Sequence, residues 1–81
     1  MDYEINDRLE VRSGVQEGRP IIKGTRLGVE TVVSHLLAGD TETDILEAFP
    51  FITVEDINAC KEFALKMTSL EYSIVEFKNA N

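Results

Sequence analysis

The run Gly18-Arg19-Pro20-Ile21-Ile22-Lys23-Gly24-Thr25-Arg26-Leu27 sets a short apolar segment between two glycines and carries three cations within it. Pro20 fixes φ, and Gly18 and Gly24 admit backbone conformations closed to other residues, so the run reads as a strand over residues 20–23 held between tight turns. Such a frame would present Arg19, Lys23 and Arg26 as a fixed array. Upstream, Leu9 and Val11 alternate with Arg8, Glu10 and Arg12, the period of a half-buried strand, and Ser13-Gly14 breaks it. An N-terminal strand pair is therefore expected. Two strands alone are marginal in water, so the pair must pack on helices or on another chain. Residues 1–8 show no periodicity and read as a flexible N-terminus.

Downstream the period changes to that of helices. Val29, Val32, Val33, Leu36 and Leu37 form an apolar stripe that predicts a helix over residues 29–38, with Gly39 as its stop. Thr41-Glu42-Thr43-Asp44 is a capping box opening a second helix, in which Ile45, Leu46 and Phe49 face inward and which Pro50 ends. Thr53-Val54-Glu55-Asp56 repeats the start signal for a third helix, whose apolar face runs through Ile57, Cys60, Phe63, Ala64 and Met67 to about residue 69. Two capped helices joined by a short turn, with a third beside them, describe a helix-turn-helix shape. Residues 70–77 fit two patterns: Leu70, Tyr72 and Ile74 alternate as in a strand, whereas Met67, Leu70, Ile74 and Phe77 keep helical spacing. Their β-branched and aromatic content favours the strand. The expected fold is thus mainly α: a three-helix, helix-turn-helix-like bundle over residues 9–69, with a short N-terminal β-strand pair and a C-terminal tail, residues 70–81, that adds a strand and a dimerisation or partner-binding segment.

Taken together, Gly18-x-Pro20-x-Ile22-x-Gly24-Thr25-Arg26-Leu27-x-Val29, then Ala38-Gly39-x-Thr41, Ile45-Leu46, Pro50 and Thr53-x-x-Asp56-Ile57, ending near Phe63-Ala64, resemble the pattern of a prokaryotic family, domain of unknown function 433. The resemblance covers roughly residues 9–64. It implies a helix-turn-helix-like domain of the kind described as the antitoxin partner of a PIN-like ribonuclease toxin. Gly28 stands where the family commonly has proline, Cys60 where it has leucine, and Phe63 where it has tyrosine.

A chain of 81 residues is one small domain, hiding only about 60–65% of the surface its unfolded chain exposes. No apolar run approaches a membrane span and no signal peptide opens the chain, so a soluble, cytoplasmic protein is expected. Its net charge of −7 is unevenly placed. Between residues 8 and 28, Arg8, Arg12, Arg19, Lys23 and Arg26 outnumber Glu10 and Glu17, whereas beyond residue 28 only Lys61, Lys66 and Lys78 oppose a run of carboxylates. That asymmetry speaks of partners and association rates.

Catalysis finds little support: His35 has no nucleophile near it in sequence, no glycine-rich phosphate loop opens a helix, and the carboxylates at helix starts are explained by capping and by the helix dipole. No cofactor and no metal are expected. Cys60, the single cysteine, lies on an apolar face and reads as a buried thiol, and His35 as a surface residue of a polar face. DNA binding is the alternative that the helix-turn-helix shape invites. The third helix would then present Thr53, Glu55, Asp56, Asn58 and Lys61, whose carboxylates oppose phosphates, so contact with DNA falls instead to Arg12, Arg19, Lys23 and Arg26. Arg26 has two readings, an ion pair with Glu30 or Asp56, or a plug that works with Arg19 or Lys23 in the acidic site of a PIN-like nuclease. The expected function is a non-catalytic, antitoxin-like protein-binding module, a homodimer, gripping its toxin through Arg19, Lys23 and Arg26 or through Tyr72, Ile74 and Phe77.

Overall fold

The computed structural model describes the backbone of residues 2–79 and the side chains of residues 2–68. A three-stranded antiparallel sheet is followed by three helices, a mixed α/β arrangement. Strands β1 (Tyr3–Glu4), β2 (Leu9–Val11) and β3 (Ile21–Ile22) lie in that spatial order. Tyr3 stands opposite Val11, and Leu9 opposite Ile22. As the alternation predicts, Leu9 and Val11 are buried and Glu10 is half-buried.

Strand β1 adds a third strand to the expected pair, within the residue 1–8 segment that shows no periodicity. The Asn6 side chain accepts hydrogen bonds from the backbone N–H groups of Arg8 (2.8 Å) and Leu9 (2.9 Å), folding the chain back. Ser13 N–H donates to the Asp2 carboxylate at 2.6 Å, which holds that carboxyl below the usual range, and Ile5 packs against the core. A two-residue strand is too short to announce itself by periodicity.

Helix α1 spans Val29–Leu37. Gly28 offers no side-chain cap, but the Val29 N–H donates to the Pro20 carbonyl at 3.0 Å, so the residue leading into β3 closes the helix start. At the other end Gly39 takes φ +96°, with its N–H on Leu36 O and that of Asp40 on His35 O, a Schellman stop. Val29 and Val32 are buried and Val33 and Leu36 pack beside them. Leu37, expected on the same stripe, is 84% exposed: it is the last helical residue, at the edge of the stripe where the chain already turns away.

Helix α2 (Glu42–Ala48) opens with the predicted reciprocal bonds between Thr41 and Asp44. Helix α3 (Val54–Asn79) opens with the same pair in Thr53 and Asp56, at 3.0 and 3.2 Å. The three helices pack on one another in pairs. Helix α3 also overturns the C-terminal strand: the backbone stays helical to Asn79, because lengthening a formed helix costs far less than starting a new element, and Ala64, Leu65, Lys66, Met67, Leu70 and Glu71 all favour helix. No helix among the described residues is long and apolar enough to cross a membrane.

Leu9, Ile22, Val29, Val32, Ile45, Ile52, Ile57 and Cys60 form the core. Burial then fades along α3, from Ile57 and Cys60, both fully buried, through half-buried Phe63 and Ala64 to Leu65, 68% exposed, and Met67. Asp56 is the one buried charged residue among those described, and Arg8 Nη1 reaches it at 3.1 Å. Its carboxylate thus closes the α3 start and ties it to the sheet. We expect Asp56→Ala to lower unfolding free energy by about 2 kcal/mol, combining a lost cap with a lost charge-assisted bond. The exposed counterpart Asp44→Ala should cost less, and urea titration compares the two.

Burial pushes the Cys60 thiol up to about 11, the Asp56 carboxylate adding to the shift. In the unfolded chain the thiol ionises earlier, near 9.0, so its contribution to stability is whole below that pH and is lost as pH rises toward about 11. Urea midpoints should therefore fall between these values by an amount corresponding to about 1–2 kcal/mol. Cys60→Val, compared at the same pH values, should lack that part of the decline.

Candidate functional site

The cationic strand-turn segment is held by backbone bonds on two sides. Ile22 N–H donates to Leu27 O (3.0 Å), and Lys23 N–H to Arg8 O (2.9 Å), so the segment is joined both to its own return and to β2. Inside the turn Gly24 has φ +76°, and the Thr25 hydroxyl donates to Ile22 O (2.8 Å) while accepting from Leu27 N–H (3.0 Å). Thr25 is therefore the pin of the turn, and Gly24 the residue that lets it form. Before the strand, Gln16, Glu17 and Gly18 all have positive φ, 50°, 56° and 77°. Two consecutive non-glycine residues in the left-handed region are uncommon, and the sequence signalled only Gly18. The Gln16 side chain donates to Arg26 O at 3.0 Å, so this left-handed turn braces the second one.

The expected array of Arg19, Lys23 and Arg26 is divided among three places. Arg19 lies 3.0 Å from Glu30 at the lip of a cleft of about 490 Å3, which Gln16, Thr31, Ser34, His35 and Phe63 also line. Lys23 pairs with Glu4 across the sheet. Arg26 lines a shallow groove of about 280 Å3 with Arg12, Glu10, Val15, Gly24 and Thr25. Arg12 lies 3.8 Å from Glu10. Of the five cations between residues 8 and 28, Arg26 alone has no carboxylate partner among the described residues. Its expected intramolecular partners are taken: Glu30 by Arg19, and Asp56 by Arg8. Sequence spacing could not find these pairs, because they join residues brought together only by the packing of the sheet on α1 and α3.

His35 is half-buried rather than a free surface residue: Nδ1 lies 2.7 Å from Asp40 Oδ2, and the ring meets Phe49 edge-on at 5.4 Å. No three His, Cys, Asp or Glu side chains among the described residues converge as a metal site requires. At the start of α3, Thr53 and Asp56 are committed to the cap and Lys61 to Glu42 at 3.0 Å, which leaves Glu55 and Asn58 as the exposed polar side chains. Tyr72, Ile74 and Phe77 fall on the helical backbone of α3, and their side chains lie outside those described.

No curated protein matches this chain. A crystal structure of a DUF433 member protein from Anabaena variabilis is similar to it, with a TM-score of 0.72 and 24% identity over 86% of this chain and 70% of that one, a likeness of fold. The family model described as protein of unknown function (DUF433) matches residues 9–64, which take in strands β2 and β3, both turns, α1, α2 and the buried part of α3. The chain belongs to the DUF433 family.

Proposed function

We propose that the domain is a non-catalytic, antitoxin-like protein-binding module that neutralises a PIN-like ribonuclease, in the cytoplasm, with Arg26 as the cation it offers. The supporting observation is that Arg26 is exposed, and unpaired among the described residues, on a turn fixed by Thr25 and by the Gln16 side chain. A guanidinium held on a rigid frame gives up little freedom when it forms paired hydrogen bonds with a carboxylate. Clustered carboxylates that bind a catalytic metal are a fitting target, since a cation placed among them competes with that metal. Arg12 and Glu10, 3.8 Å apart, share the groove and offset one another, whereas Arg19 and Lys23 must first leave Glu30 and Glu4. Arg26→Ala should therefore weaken neutralisation of a PIN-like ribonuclease that the parent domain inhibits by about tenfold or more, and Lys23→Ala by less. Titrating RNA cleavage against added domain measures both. An Arg26→Ala variant that neutralises as well as the parent would remove this reading.

The alternative is a DNA-binding regulator of helix-turn-helix-like form, favoured by the succession of α2, a five-residue connection and α3. The exposed start of α3 carries Glu55 and no unpaired cation, so in this reading too the groove with Arg12 and Arg26 supplies the phosphate contacts. Binding should then lose about one unit of salt slope for each of Arg12→Ala and Arg26→Ala, and Glu55→Gln should strengthen it. Fluorescence anisotropy across a salt series reads both effects. Loss of binding on changing Asn58 alone, with the arginines neutral, would place the contact on α3.

A further inference from the structure

Helix α3 outlasts the core that it helps to build. Its first three turns bury Ile57 and Cys60, yet the helical backbone continues to Asn79, and Leu65 and Met67 already stand exposed. With that backbone helical, Phe63, Met67, Leu70, Ile74 and Phe77 recur at alternating intervals of four and three. That average of 3.5 matches the spacing of a two-helix seam, and over two heptads it departs by only about 40° from the 3.6 of a helix lying on a globular core, so the flanking charges have to choose the occupant. In heptad terms Phe63, Leu70 and Phe77 take d positions, and Met67 and Ile74 take a positions; Phe63 packs against the domain's own core, so the open stripe begins at Met67. The flanking positions then discriminate between occupants. Lys66 falls at g and Glu71, five residues on, at e, the two positions that a parallel pair brings together across chains.

We propose that the C-terminal half of α3 is the dimer seam of this protein, a parallel two-stranded coiled coil with a second copy of the same chain. A second copy is the occupant that this pattern specifies: it carries the same stripe in the same register, and Lys66 of each copy meets Glu71 of the other. The proposal stands apart from the antitoxin reading, since it needs neither a nuclease nor DNA. It also divides the apolar tail: Ile74 and Phe77 belong to the seam, while Tyr72 falls at an f position, in line with exposed Leu65 and away from it.

Multi-angle light scattering of the full chain at tens of micromolar should give a dimer. Ile74→Asp should give a monomer whose core residues melt cooperatively as before, because position 74 lies beyond the last core residue, whereas Tyr72→Lys should remain dimeric. Glu71→Lys should weaken the dimer, and Lys66→Glu combined with it should restore it. For orientation, Phe77→Cys chains treated with ferricyanide should join as disulfide-linked dimers, Cys60 being buried and out of reach. A monomeric parent, a dimer indifferent to Ile74→Asp, failure of the charge reversal to restore pairing, or a dimer whose Phe77→Cys chains do not crosslink would each overturn the proposal.

Discussion

The backbone around β3 is bonded on both flanks: Glu10 and Leu9 face it from β2, while Leu27 and Gly28 close its other side and the Pro20 carbonyl receives the first N–H of α1. Ile21 and Ile22 are both fully buried, which a strand exposed on one face cannot manage. Two residues thus join the sheet, the cationic turn and the first helix. In a domain this small such a junction matters more than any single side chain, because few other buried contacts exist to compensate for its loss. The two glycine-containing turns exist to let the chain reach and leave this position, and Thr25 supplies the hydrogen bonds that fix the way out.

The placement of charge follows from that frame. Packing the sheet against α1 and α3 carries Arg8 to the buried Asp56 and Arg19 to Glu30, and it leaves Arg26 at the tip of a braced turn. The Arg8 pair has its carboxylate largely out of water and bonded also to the Thr53 N–H, so it contributes to the fold. Arg19 and Glu30 are both mostly exposed, where an ion pair contributes little and exchanges readily. The chain's cations are thereby graded from structural to available, although the sequence shows them as a uniform cluster.

Much of this was legible in the sequence wherever the cause is local. Thr41 with Asp44 and Thr53 with Asp56 specify two helix starts within four residues each, and the alternation around Leu9 and the Gly-Pro-Gly frame specify two strands. What could not be read has causes outside the local window. β1 is held by an Asn6 turn and by the Asp2–Ser13 bond, neither of which has a period. The left-handed Gln16 and Glu17 depend on what Gln16 grips ten residues later. The candidate site was legible in its residues but not in their division, because ion-pair choice is decided by tertiary contacts between residues as far apart as Arg8 and Asp56.

The tail shows the same limit from the other direction. Tyr72, Ile74, Val75 and Phe77 have strand propensity, but propensity is a weak prior against a helix already capped by Asp56 and anchored by Ile57 and Cys60. Once α3 is started, each added residue gains a backbone hydrogen bond for one residue fixed, and the strand alternative would need a partner edge that β1, two residues long, hardly provides. Beyond Ala64, however, the helix has left its core, and local propensity alone sustains a helix of that length poorly in water. If a second chain covers that stripe as proposed, assembly and helix formation in this half of α3 form one equilibrium, while the capped first half belongs to the folded domain whether or not a second chain is bound.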